Sequence, residues 1–82
     1  MSKLKIEKQN KKTYIKCNQC GDILVISSPK LKWKAISSCK HFLVSEIWYD
    51  SISYSKAQEN LSKSVKTFFT PKYVIAIIPR NL

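Results

Sequence analysis

The three cysteines and the only histidine of this 82-residue chain fall into two tight pairs, Cys17-x2-Cys20 and Cys39-x-His41. Thiolate and imidazole are donors that a tetrahedral zinc ion takes, at about 2.3 Å to sulfur and about 2.0–2.1 Å to nitrogen. A Cys-x2-Cys turn sets two thiolates on one side of such an ion, and the 18 residues between the pairs are enough for a hairpin to bring the second pair back to it. Two other readings exist for the same residues. Cys17 and Cys39 can be small buried apolar side chains with His41 a core histidine. Cys17 and Cys20 can be a redox pair, although such a pair usually opens a helix after a strand, whereas Gly21-Asp22 and a second strand candidate follow here. Four protein ligands close the coordination shell and leave no open position for water or substrate. Asp22 and Glu46, the carboxylates near the pairs, stand in no general-base motif. The pattern predicts one structural Zn2+ held by Cys17, Cys20, Cys39 and His41, and no enzyme activity.

The second chemically informative class is lysine. Lys and Arg number 15 against 5 Asp and Glu, a formal net charge of +10 at pH 7. The excess is one-sided: residues 1–40 hold ten lysines and two acids, while residues 41–82 hold four lysines, Arg80 and three acids. Such a field fits a polyanion, and nucleic acid is the commonest one inside cells. The candidate contacts are Lys3, Lys5, Lys8, Lys11 and Lys12 on a basic arm, Tyr14 and Lys16 on one face of the next segment, and the alternating row Lys30, Lys32, Lys34. Lysine contacts to phosphate position a nucleic acid without reading its sequence. The plain alternative is that the lysines only keep a small domain soluble. Membrane-surface binding is disfavoured because the basic residues lie on no helix with an apolar face.

The elements that must carry these groups can be read from periodicity. Ser2–Lys12 forms the basic arm, in which Leu4 and Ile6 alternate with Lys3 and Lys5 and would permit a short edge strand. Thr13–Cys17 and Ile23–Ile26 read as strands, and Leu31, Trp33 and Ala35 against Lys30, Lys32 and Lys34 read as a third, half-buried one. Cys39–Tyr49, with Leu43/Ile47 and Val44/Trp48 at helical intervals after Ser37-Ser38, predicts a helix. A second helix is expected from a capping box at Ser55-Lys56-Ala57-Gln58 through Ala57, Leu61, Val65 and Phe68 to Pro71. Tyr73–Ile78 reads as a buried strand. Trp33 and Trp48 fall on apolar faces and are expected in the core. The predicted fold is α+β, a small zinc-stabilised antiparallel sheet with two helices and a C-terminal strand, comprising a 1–12 arm and one domain over 13–82.

Cys39-Lys40-His41-Phe42-Leu43-Val44 resembles the second half of SWIM zinc fingers, in which a Cys-x-His pair followed by apolar residues opens a helix after a β-hairpin. The resemblance covers about residues 13–49, the expected zinc module. The first pair is Cys-x2-Cys where SWIM fingers carry Cys-x-Cys, and in this it is similar to zinc ribbons and knuckles. The resemblance implies DNA or protein binding on the SWIM side, and ribosomal RNA binding on the side of small basic zinc ribbons.

A chain of this size buries only about 60% of its unfolded surface, so a metal staple is physically useful. The odd cysteine count, and a charged stretch from Met1 to Lys16 with no apolar core of a signal peptide, argue for a reducing, cytoplasmic setting. Val74–Ile78, the longest apolar run after the expected helices, is far short of the roughly 20 residues that span a bilayer, so no membrane partner is expected. The sequence thus predicts a non-catalytic zinc protein that binds nucleic acid, RNA before DNA, as a subunit of a ribonucleoprotein such as the ribosome. The alternatives are a DNA-associated finger of viral or archaeal type and a zinc-scaffolded module that docks a protein through residues 56–82.

Overall fold

A computed structural model describes residues 3–80. Its first half is a four-stranded antiparallel meander, β1 (Leu4–Gln9), β2 (Lys12–Cys17), β3 (Ile23–Ser28) and β4 (Lys32–Ala35), in that spatial order. Its second half is a three-stranded antiparallel sheet of β5 (Phe42–Trp48), β6 (Lys66–Phe69) and β7 (Tyr73–Pro79), in the order β5-β7-β6, with one helix, α1 (Ser55–Lys63), between β5 and β6. A short 3-10 turn, Tyr49–Ser51, follows β5.

The two sheets face each other. Ile15, Cys17, Leu24 and Val25 of the first pack with Phe42, Phe68, Ile75 and Ile77 of the second, and Trp33 stacks on Phe68 with ring centroids 4.2 Å apart. The opposite face of the second sheet is covered by α1, where Ala57 and Leu61 meet Ile47, Ala76 and Ile78. β7 therefore has apolar neighbours on both faces, and Val74–Ile78 is buried at every position. A strand covered on both sides reads as a continuous apolar run, which is what the sequence shows there.

That double coverage also explains why the expected helix at Cys39–Tyr49 is a strand. Phe42-Leu43-Val44 and Ile47-Trp48 place apolar residues on both faces of β5, which removes the alternation that marks a strand and leaves spacings that also fit a helix. Pairing of every β5 residue from Phe42↔Pro79 to Trp48↔Tyr73 decides it. Trp48, expected in the core, lies at the strand end, 47% exposed and against Tyr73.

The second expected helix is cut short. It stops at Lys63, where Ser64 turns extended and its hydroxyl donates to the Leu61 carbonyl at 2.7 Å. Lys66-Thr67-Phe68-Phe69 is β-branched and aromatic, and it adds to β7 as a strand. The capping box does not form: Tyr54 is the N-cap without a side-chain bond, and the Gln58 amide donates instead to the Ile52 carbonyl at 2.5 Å. The two-helix fold with one sheet is thus corrected to two sheets and, among the described residues, one α-helix.

In the meander, Asn10 and Lys11 make a two-residue turn at φ +53° and +64°, and Lys32 opens β4 at φ +54°. Leu31, expected to be half-buried on a strand, lies in the β3–β4 turn, 52% exposed. Pairing shifts between Ile15↔Val25 and Lys16↔Ile23, so one extra residue enters β3 and the adjacent Leu24 and Val25 are both fully buried. This bulge bends the strand beside the point where β2 delivers Cys17. Among the described residues, no helix is long and apolar enough to cross a membrane.

Candidate metal centre

The first ligand pair sits where β2 runs out of the sheet. Cys17 is its last residue and 1% exposed. The chain then folds back at once: the Gly21 N–H donates to the Cys17 carbonyl at 2.8 Å, and the Cys17 N–H to the Asp22 carbonyl at 3.0 Å. Gly21 adopts φ +75°, a conformation that disfavours any side chain. This is the requirement that places the only glycine after the second cysteine. Cys20 at the tip is exposed, and its thiol faces the Asp22 carboxylate at 3.5 Å.

The second pair comes from the segment between the two sheets. Cys39 is buried; its N–H donates to the Phe42 carbonyl at 2.9 Å, and its sulfur accepts from the His41 N–H at 3.4 Å. Arg80, just past β7, fastens this segment twice. Its N–H donates to the His41 carbonyl at 2.9 Å and its guanidinium Nε to the Cys39 carbonyl at 2.9 Å. Arg80 escapes sequence reasoning altogether, because nothing local marks a residue whose side-chain partner lies 41 positions away.

The four side chains meet. One ligand atom from each of Cys17, Cys20, Cys39 and His41 lies within 4.8 Å of all the others, so the group can hold a metal ion. The His41 nitrogen turned inward is Nδ1, 3.6 Å from the Cys17 sulfur. The thiols influence one another strongly. For Cys17, desolvation is outweighed by the N–H groups of Cys20 and Gln19 and by the thiols of Cys20 and Cys39, and the thiol falls below its ordinary value. For Cys20, the Asp22 N–H pulls the other way but is overcome. Desolvation, the Cys17 and Cys39 thiols and the Asp22 carboxylate push it up to about 11. One thiolate can form alone, and the next is opposed by the first. Only a cation makes three thiolates compatible at this spacing.

The first pair begins at the end of β2 in one sheet and the second leads into β5 of the other, so an ion here would link the two layers of the core at one end. The helix expected to start at Cys39-x-His41 is absent, and the pair leads into β5 instead.

The lysines separate into two groups. Register pairs Lys5 with Lys16, Glu7 with Tyr14, Tyr14 with Ile26 and Ile26 with Lys34, and Ser28 with Lys32. Cross-strand partners share a face, so Lys5, Lys12, Lys16, Lys32, Lys34 and Tyr14 all lie on the outward face of the first sheet, where no residue is buried. Lys30 and Lys11 lie in hairpin turns, Lys8 pairs with Thr13 on the opposite alternation, and Lys3 precedes β1. The expected row Lys30, Lys32, Lys34 is thus reduced to its last two members. The sequence reading passed over Glu7, which holds Lys16 at 2.7 Å and Lys5 at 3.1 Å. Its i, i+2 spacing from Lys5 on a strand was the available signal. No family model matches the chain, and neither does a curated protein or a solved structure.

Proposed function

We propose that this chain is a zinc-stabilised, non-catalytic nucleic-acid-binding domain, with RNA as its ligand and a ribonucleoprotein such as the ribosome as its setting. Zinc is the ion that best fits the donors. At zinc's usual bond lengths a tetrahedral ion sets a sulfur and a nitrogen ligand about 3.6 Å apart. That is the separation of Cys17 Sγ and His41 Nδ1. Four protein donors leave no coordination position for chemistry, and the ion's part is to fasten the two sheets.

The observation that carries the nucleic-acid reading is the gathering of lysines from three strands on the outward face of the first sheet, against which no described element packs. Lys5 and Lys16, and then Lys12, Lys32 and Lys34, are far apart in sequence but share that face. Lys12, Lys32 and Lys34 form no ion pair among the described residues. The preference for RNA over DNA rests on size, charge and the likeness of the first cysteine pair to small basic zinc ribbons. Co-sedimentation with ribosomes from the native cell tests the setting.

Salt titration tests the binding itself. Affinity should fall linearly with salt on logarithmic axes, with a slope of about 0.7 per phosphate neutralised on a single strand or about 0.9 on a duplex. Replacing Lys12, Lys32 and Lys34 with Gln should flatten that slope. A second reading has its own observation: Val65 and Phe69, beside and on edge strand β6, are 55% and 69% exposed. An apolar edge of this kind fits a protein partner, and binding insensitive to salt would favour that module.

A further inference from the structure

The outward face of the first sheet has an internal order that its net charge alone does not require. Its centre is the cross-strand pair Tyr14–Ile26, half-buried and apolar. Lys16 sits above the tyrosine ring, 6.0 Å from its centroid. Lysines stand at both ends of that centre. Lys5 and Lys16 are on the side of the metal knuckle, and Lys12 and Lys32 are on the side of the hairpin tips. Lys12 and Lys16 are four residues apart on β2, about 13 Å. The ends differ in one respect: the knuckle-side pair is already engaged by Glu7, whereas the tip-side lysines have no carboxylate partner among the described residues.

Resting on the nucleic-acid reading above, we infer that the ligand is a single strand. It crosses this face with one base stacked on Tyr14 beside Ile26 and phosphates held at either end, and Glu7 occupies the position of one of those phosphates when the face is empty. The physical distinction is between base faces and base edges. A duplex keeps its base faces stacked inside and presents phosphates to the tips of long side chains, so a recessed ring between lysines gains nothing from it. A single strand can lay a base on that ring, and aromatic stacking tolerates any base. The Glu7 carboxylate makes two charge-assisted hydrogen bonds to ammonium groups, the contacts a phosphate oxygen would make. Strand binding then exchanges one anion for another at Lys5 and Lys16.

The test uses the full chain loaded with zinc, fluorescein-labelled U12 and dT12, and a 12-base-pair duplex, read by polarisation at one common salt concentration for affinities and over a salt series for slopes. U12 and dT12 should bind at least about tenfold more tightly than the duplex. Tyr14→Ala should weaken single-strand binding by about 5- to 100-fold. Tyr14→Phe, which keeps the ring, should stay within about twofold of the parent and shows that the loss is not one of folding. Glu7→Gln should tighten binding and steepen the salt slope by about 0.7, the one phosphate contact whose place Glu7 takes. Equal affinity for duplex, or a neutral Tyr14→Ala alongside lysine variants that weaken binding, overturns the single-strand inference and leaves nucleic-acid binding standing. An unchanged or weakened Glu7→Gln removes the anion exchange. Failure of the parent protein to bind any of the three probes at low salt overturns the functional reading itself.

Discussion

At the scale of single residues, the candidate metal ligands are held in place by groups that would not themselves touch an ion. Gly21 supplies the turn conformation, and the backbone N–H of His41 bonds to the Cys39 sulfur, while Arg80 holds the carbonyls of Cys39 and His41. Residues that orient a ligand commonly change metal affinity by about 10- to 100-fold. Arg80→Ala should therefore weaken metal binding by about tenfold in competition with a chromophoric chelator. Cys39→Ser removes a thiolate from the buried core and should abolish both metal retention and cooperative unfolding. Elemental analysis of the parent chain should give about one zinc per molecule. Glu7 sets a pH dependence of its own. Hydrogen bonds from the Lys16 and then the Lys5 ammonium groups hold its carboxyl below the ordinary glutamate value. A folded value below the unfolded one means that its contribution is present above about pH 4.5 and lost as pH falls through the folded value. The stability curve of Glu7→Gln should accordingly differ from the parent's at neutral pH and converge on it in acid.

At the scale of elements, the sequence was most readable where one face of a strand meets water. Thr13–Cys17 alternates clearly, and its predicted faces, with Tyr14 and Lys16 opposite Ile15 and Cys17, are those of β2. Val74–Ile78 was readable for the opposite reason, as a run too short and too β-branched for a helix. Phe42–Trp48 was not readable, because coverage on both sides erases the period that separates strand from helix. Nor could α1 be ended correctly at Lys63, since Val65 and Phe68 continue its spacing while lying beside and on β6. That Cys17, Cys20, Cys39 and His41 come together was legible from types and spacing alone, whereas Arg80's place beside them depends on the fold. The hairpin tips hold a further feature that composition obscured. Lys11 and Lys32 adopt positive φ, where glycine is the favoured residue. A side chain in that region costs about 1–2 kcal/mol. Lys11→Gly should therefore raise stability by about 1 kcal/mol in denaturant melts, while lowering affinity for nucleic acid. A gain in stability coupled to a loss of binding would mark Lys11 as kept for its charge.

At the scale of the whole molecule, the apolar core between the layers, with Ile75 and Ile77 of β7 at its centre, holds the two sheets together, and an ion at the cysteine–histidine cluster would add a second tie. Ile75 and Ile77 are fully buried between the layers, and truncation of Ile75 to Ala should cost about 2–5 kcal/mol. A chain this small has little reserve, so that variant should unfold at ordinary temperature once a chelator removes the ion. The spatial order β5-β7-β6 has a further consequence for the history of each molecule. The meander is built from consecutive neighbours and can zip together as soon as it leaves the ribosome. The second sheet cannot, because β5 and β6 each pair only with β7. Until residues 73–80 have been synthesised, Phe42 and Phe68 have no strand between them and Cys39 lacks the guanidinium that secures it. A nascent chain paused before Tyr73 would be half a sandwich with an open apolar face, the stage at which this protein most needs a chaperone.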